Sequence, residues 1–134
     1  MSLMKEYIDK IDKDGWQNIN FQDELVRLIK EYNKITQRYL LIYASAIEKP
    51  IEEKVLIQDD YYIIHDILSH KKESKLDVYL ETPGGSGEVA EEIVGFLHSN
   101  FEKVFFVISG QAKSAGTIMV LSGHEIYMTE TGSL

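Results

Sequence analysis

Cysteine is absent from this 134-residue chain. Its absence excludes a disulfide framework, a thiolate metal site and a cysteine nucleophile, and suits a reducing, cytoplasmic setting. Basic residues are also scarce: 14 Lys and Arg stand against 22 Asp and Glu, for a net charge of -8. That sign is wrong for neutralising phosphates over a broad surface, so no nucleic-acid partner is expected. No run approaches the roughly 20 apolar residues that span a bilayer. The best, Tyr39 to Ile47, is far too short and reads as a buried strand. The N-terminus does not resemble a signal peptide, because Lys5, Glu6, Asp9, Lys10 and Asp12 interrupt any apolar core. A soluble chain is expected. Met1-Ser2-Leu3 ahead of Met4 reads as an expression-vector leader and is set aside from fold reasoning. The length fits one principal domain with a real core.

Apolar residues then set out the elements. Phe21, Leu25, Leu28, Ile29 and Tyr32 recur at helical spacing behind Asn20, a candidate cap. Tyr39–Ala44 is a short unbroken apolar run, expected as a strand buried on both faces. Asp59 opens a helical segment in which Tyr62, Ile63, Ile67 and Leu68 suit one face, followed by a charged loop, Lys71–Lys75, expected as solvated surface. Leu76–Glu81 alternates apolar and polar residues and stops at Thr82-Pro83-Gly84-Gly85, because proline cannot donate to a ladder and paired glycines break extended structure. A helical stripe of Val89, Ile93, Phe96 and Leu97 follows, with Ser86 as its cap and its end near Asn100. The unit then repeats. Val104–Ile108 is a second buried-strand run, Gly110–Ser114 a small-residue turn, and Ala115–Leu121 an apolar helix; Glu125–Met128 reads as one more strand. Strand, glycine turn and helix in alternation predict an α/β fold with a mainly parallel sheet. Ligands of such sheets sit at the carboxyl ends of the strands, where both glycine turns fall. The last strand has no helix after it, so the fold is expected to be cut short at its C-terminal end.

Chemistry concentrates at those two turns. Ser114 stands where a turn meets a helix whose first N–H groups lack internal partners. A serine hydroxyl there could attack a carbonyl while the N–H of Ala115 receives the developing negative charge. Gly85 could supply a second N–H, since no side chain obstructs its approach to a substrate. On residue types alone, serine is also a common helix cap and Pro-Gly-Gly a common turn. Gly84-Gly85-Ser86-Gly87 carries neither the dinucleotide nor the P-loop fingerprint. His65, His70, His98 and His124 are read as structural or solvated. Lys113 is discounted as a base because adjacent side chains on a turn diverge. Tyr79, Tyr127, Phe105 and Phe106 read as core or interface aromatics.

Glu81-Thr82-Pro83-Gly84-Gly85-Ser86-Gly87, followed by Gly110-Gln111-Ala112-Lys113-Ser114-Ala115-Gly116-Thr117, resembles the Clp-protease/crotonase superfamily. The nearest look-alikes are the serine dehydrogenase proteinase and signal peptide peptidase A families. Gly85 and Ser114 lie 29 positions apart (114 - 85), which resembles the separation of oxyanion glycine and nucleophile in the Clp proteolytic subunit. The resemblance covers Tyr39 to Leu134, which divides the chain into an N-terminal helical segment, 1–38, and the N-terminal part of a peptidase domain, 39–134. It implies Ser114 as nucleophile, Gly85 and Ala115 as oxyanion donors, and Gly84, Ser86 and Gly87 as a substrate-binding rail for an extended peptide. It also implies a homo-oligomer, a peptide or protein substrate, and a reaction without metal or organic cofactor. The general base of either family, a histidine or a lysine, would fall beyond Leu134. By the same resemblance, the full-length protein could be tethered to a membrane through segments outside this sequence. Two other readings share the fold: a crotonase-type acyl-coenzyme A enzyme, against which the serine argues, and a catalytically incomplete peptide-binding or assembly module.

Overall fold

Four apolar runs become strands in the computed structural model, which describes residues 2–71 and 73–134. They are β1 (Tyr39–Ala44), β2 (Lys75–Glu81), β3 (Lys103–Ile108) and β4 (Glu125–Met128). They form one sheet in the order β1-β2-β3-β4, with every neighbouring pair parallel. Parallel neighbours require crossovers, and three helices supply them. α3 (Gln58–Leu68) joins β1 to β2, α4 (Gly87–Asn100) joins β2 to β3, and α5 (Ala115–Leu121) joins β3 to β4. The expected α/β class with a parallel sheet is what the chain adopts.

Residues paired across neighbouring strands point to the same face of the sheet. The row Leu41, Val78 and Phe106 is one such layer, and Leu76 with Val104 is another. These residues are buried with Ile64 and Leu68 of α3, Val89, Ile93 and Leu97 of α4, and Met119 and Val120 of α5. The core therefore lies between the sheet and its crossover helices.

Three expectations need correction. β1 is an edge strand in which only Leu41 is buried, rather than a strand covered on both faces. On α3 the inward pair is Ile64 and Leu68, whereas Tyr62, Ile63 and Ile67 face outward at 60%, 57% and 45% exposure. Two apolar stripes coexist on this helix, and periodicity alone cannot say which one meets the core. β2 does not present its polar position to water: Asp77 is buried and ion-paired with Arg38 at 3.2 Å. The Arg38 guanidinium stacks 3.9 Å from the centre of the Phe105 ring. Hydrogen bonding to Tyr127, and secondarily to Asp77, raises the Arg38 pKa against the opposing effect of burial. Of the charged loop, Lys72 lies outside the described residues, Lys71 sits 4.5 Å over the Tyr39 ring, and Lys75 opens β2.

The chain falls into two compact units, the second being Arg38–Leu134. The first, ending at Gln37, holds α1 (Leu3–Asp14), a 3-10 turn (Trp16–Asn18) and α2 (Phe21–Thr36). Asn20 caps α2 as expected, its side chain accepting from the Asp23 N–H. The helix continues one turn past Tyr32 and ends where Gln37 turns left-handed at φ 57°. α1 lies within the segment 1–38 read as helical, although no apolar stripe located it there. It starts inside the segment set aside as a leader, with the Ser2 side chain accepting from the Lys5 N–H. Tyr7 donates to Glu24, and Glu24 and Glu31 flank Arg27 along α2. Neither helix completely buries any residue. No helix among the described residues is long and apolar enough to cross a membrane.

Candidate functional site

The two glycine turns meet beyond the carboxyl ends of β2 and β3. Past Glu81 the chain stays extended instead of turning. Thr82 donates its N–H to Gln111 O at 2.8 Å, and its carbonyl accepts from the Lys113 N–H at 3.0 Å. Gly84 and Gly85 follow with φ of +109° and +147°, a region that favours glycine. Leu56, whose side chain is buried in the core, pairs with Gly85 from the other side. Its N–H donates to Gly84 O at 2.8 Å, and its carbonyl accepts from the Ser86 N–H at 3.0 Å. A Cβ on Gly85 would lie 2.4 Å from Leu56 N, so the missing side chain serves first to admit this main-chain pairing. Because Leu56 takes the groups on either side, the Gly85 N–H has no hydrogen-bond partner among the described residues.

After β3 the chain makes a similar extension. Gln111 bridges Ser133, Ala112 bridges Thr82, and α5 then begins at Ala115. Ser114 stands at the junction with φ 54° and ψ -120°, one of two non-glycine residues with positive φ among the described residues. Such a backbone costs on the order of 1–3 kcal/mol and persists only where the surroundings impose it. Serines at helix starts ordinarily cap, but the Ser114 hydroxyl makes no capping bond and the residue is exposed. Neither that hydroxyl nor the Ala115 N–H has a hydrogen-bond partner among the described residues.

The fold brings the two turns into contact. A Cβ built on Gly84 would lie 2.6 Å from Ser114 Cβ and 3.2 Å from its Oγ, so the chain segment carrying Gly85 runs directly against Ser114. The structure thus gathers Ser114, Ala115, Gly84 and Gly85 at one place. Ser86 and Gly87 follow directly: Ser86 caps α4 as expected, its Oγ accepting from the Val89 N–H at 3.3 Å, and Gly87 is the first residue of that helix. A cavity of about 270 Å³ opens on the same edge of the sheet, lined by Ser45–Lys49, Glu81 and Gln111.

Ionisable side chains take other positions. His124 accepts from the Val104 N–H through Nδ1 at 3.1 Å, which puts it at the amino end of β3, the opposite end from Ser114. The His98 ring lies 5.3 Å from that of His124, and the His65 ring 4.7 Å from that of Phe96. Lys113 Nζ donates to Leu134 O at 2.7 Å. Sequence reasoning gave no separate role to Leu56 and Thr82, which hold the glycine segment from its two sides; nothing local marks either residue, because their importance is created by pairing across the fold. An exposed, strained serine beside unpaired main-chain amides can act as a nucleophile whose product anion those amides would stabilise.

The Clp protease family model matches residues 22–131, a span that includes both turns. An uncharacterized protein of Methanocaldococcus jannaschii is 27% identical over 85 residues, which is 63% of this chain and 30% of that relative. The chain therefore aligns with less than a third of the relative's length.

Proposed function

This chain belongs to the Clp protease family, and from that premise we propose that it carries the nucleophile and oxyanion hole of a serine peptidase. The Ser114 Oγ attacks a peptide carbonyl and its proton passes to a general base outside this sequence. A C–O bond forms, and the carbonyl oxygen takes up negative charge facing the N–H groups of Gly85 and Ala115. Collapse of that adduct breaks the C–N bond, the amine leaves with a proton returned by the base, and water then cleaves the acyl-serine ester. The reaction so written uses no metal and no organic cofactor. Among its relatives, the sequences Glu81–Gly87 and Gly110–Thr117 favour the serine dehydrogenase proteinase and signal peptide peptidase A types. The substrate is a peptide or protein, and the working form is a cytoplasmic homo-oligomer.

The observation that carries this reading is the backbone of Ser114: exposed, at positive φ, with its hydroxyl uncommitted, and pressed against Gly84. Fluorophosphonate labelling of the full-length protein tests it. Labelling is expected in the wild type and lost in Ser114→Ala; undiminished labelling of the variant would overturn the assignment.

A further inference from the structure

We propose, resting on Ser114 as the nucleophile, that Thr82 is the positioning residue of the site: its hydroxyl and its methyl group together set the distance between the Gly84-Gly85 segment and the Ser114 turn. Among the described residues only Asp77 and Thr82 are polar and buried. Asp77 has its ion pair with Arg38. Thr82 is wholly enclosed, and each part of it meets one of the two turns.

Its main chain ties to Gln111 and Lys113, which fixes Thr82 to the strand leading into Ser114. Its Oγ1 accepts from the Gly84 N–H at 3.1 Å and reaches Gly84 O at 3.5 Å, so the hydroxyl holds the first glycine of the pair. Gly84 is itself buried, and with Oγ1 removed its N–H would be left without a partner. The methyl group points to the other turn. A Cβ on Gly116 would lie 2.5 Å from Thr82 Cγ2, while its next neighbours, Ala112 Cβ and Leu80 Cδ2, would be at 3.7 and 4.0 Å. Gly116 also donates its N–H to Lys113 O across the Ser114 turn. The β-branched hydroxyl side chain thus acts as a two-sided spacer. One arm sets the height of the Gly85 amide, and the other seats the first turn of α5, which carries the Ala115 amide. Thr82 touches no substrate; it acts through the placement of these groups.

The two arms can be separated by substitution. Thr82→Ser keeps the acceptor and removes the methyl; Thr82→Val keeps the shape and removes the acceptor. Displacing a catalytic group by about 1 Å can cost on the order of 100-fold. In the full-length protein, Thr82→Val is expected to label with fluorophosphonate about 10-fold to 100-fold more slowly per folded molecule, lowering kcat on a peptide substrate with KM little changed. Thr82→Ser, which keeps the acceptor but loses the methyl arm, should lose a smaller amount, about 3-fold to 10-fold. Gly116→Ala, whose new Cβ meets only the Thr82 methyl closely, should lose about 10-fold. The double variant Thr82→Ser with Gly116→Ala should regain it, because the methyl that blocks the Cβ is gone.

Labelling is read per folded molecule, and the loss falls on kcat with KM little changed. A merely structural role would lower the folded fraction instead and would not produce these losses and their rescue. If Thr82→Val does not fold, the Gly116 pair decides. Failure of the double variant to recover, or wild-type labelling by folded Thr82→Val, overturns the spacer role. Ser114→Ala in the same assay keeps the two readings distinct. Persistent labelling of that variant sinks the nucleophile itself, whereas its loss together with unaffected Thr82 variants sinks only the positioning.

Discussion

Replacing Gly85 by alanine should damage stability through a contact that involves no side chain in the native protein. The added Cβ would fall 2.4 Å from Leu56 N, 2.5 Å from Leu56 O and 2.8 Å from Leu56 Cα. All three are main-chain atoms, so no rotamer change relieves the overlap and the strands must part. Parting them breaks the bonds from Leu56 N to Gly84 O and from Ser86 N to Leu56 O, each worth about 1 kcal/mol net. Holding a residue with a side chain at φ +147° adds on the order of 1–3 kcal/mol. The sum is about 3–5 kcal/mol before any disturbance of the buried Leu56 side chain. For a unit of this size, 1 kcal/mol moves the melting temperature by about 4–8 °C, so a fall of at least about 12 °C is expected. Gly87→Ala is the matched control. Nothing lies within 4 Å of its added Cβ and the position is helical, so Gly87→Ala should melt at or slightly above the wild type. Thermal unfolding followed by circular dichroism measures both. A Gly85→Ala protein melting within about 4 °C of wild type would refute the close pairing of this segment with Leu56.

Two further outcomes follow from the sheet. Asp77→Ala leaves the Arg38 guanidinium without its carboxylate and should cost about 3 kcal/mol in urea unfolding, most of it recovered by pairing Asp77→Leu with Arg38→Met; an unrecovered loss would mean that the ion pair is not the cause. Burial, with the Asp60 carboxylate nearby, pushes the Tyr43 phenol up to about 12. The folded chain holds this proton more tightly than the unfolded one. The contribution is therefore complete below about pH 10 and is lost as pH rises toward 12, by roughly 2 kcal/mol after allowance for partial exposure. Urea midpoints near pH 9 and near pH 11.5 should diverge in the wild type and converge in Tyr43→Phe; the same alkaline loss in both would assign it to other groups.

What the sequence revealed depended on whether a residue's surroundings are local. β3 and α5 were legible because continuous apolar runs bounded by small residues leave little choice of element, and Ser86 and Asn20 announced their helices by capping chemistry that needs only the next three residues. The face of α3 was not legible, because Ile63 and Ile67 make as good a helical stripe as Ile64 and Leu68. The edge position of β1 and the burial of Asp77 were hidden for a related reason: both depend on what lies alongside, and Arg38, the partner of Asp77, is 39 positions away. At the site, Ser114, Gly84 and Gly85 could be picked out as unusual residues in two turns. Their meeting, and the work of Leu56 and Thr82 in arranging it, belongs to pairings between distant segments that periodicity does not record.

Peptide groups make most of the seams around Ser114: Leu56 to Gly84 and Ser86, Thr82 to Gln111 and Lys113, Ala112 to Ser133. A lattice of that kind counts residues more strictly than it reads them. One residue inserted between Thr82 and Gly85, or deleted between Gln111 and Ser114, would advance the chain by about 3.3 Å and turn alternate groups to the opposite side. Every bond in the seam would then face a mismatched partner at once. Tolerance to change around this serine should therefore be wide for exposed side chains and nearly nil for chain length, a contrast that a scan of single-residue insertions against single substitutions would expose directly.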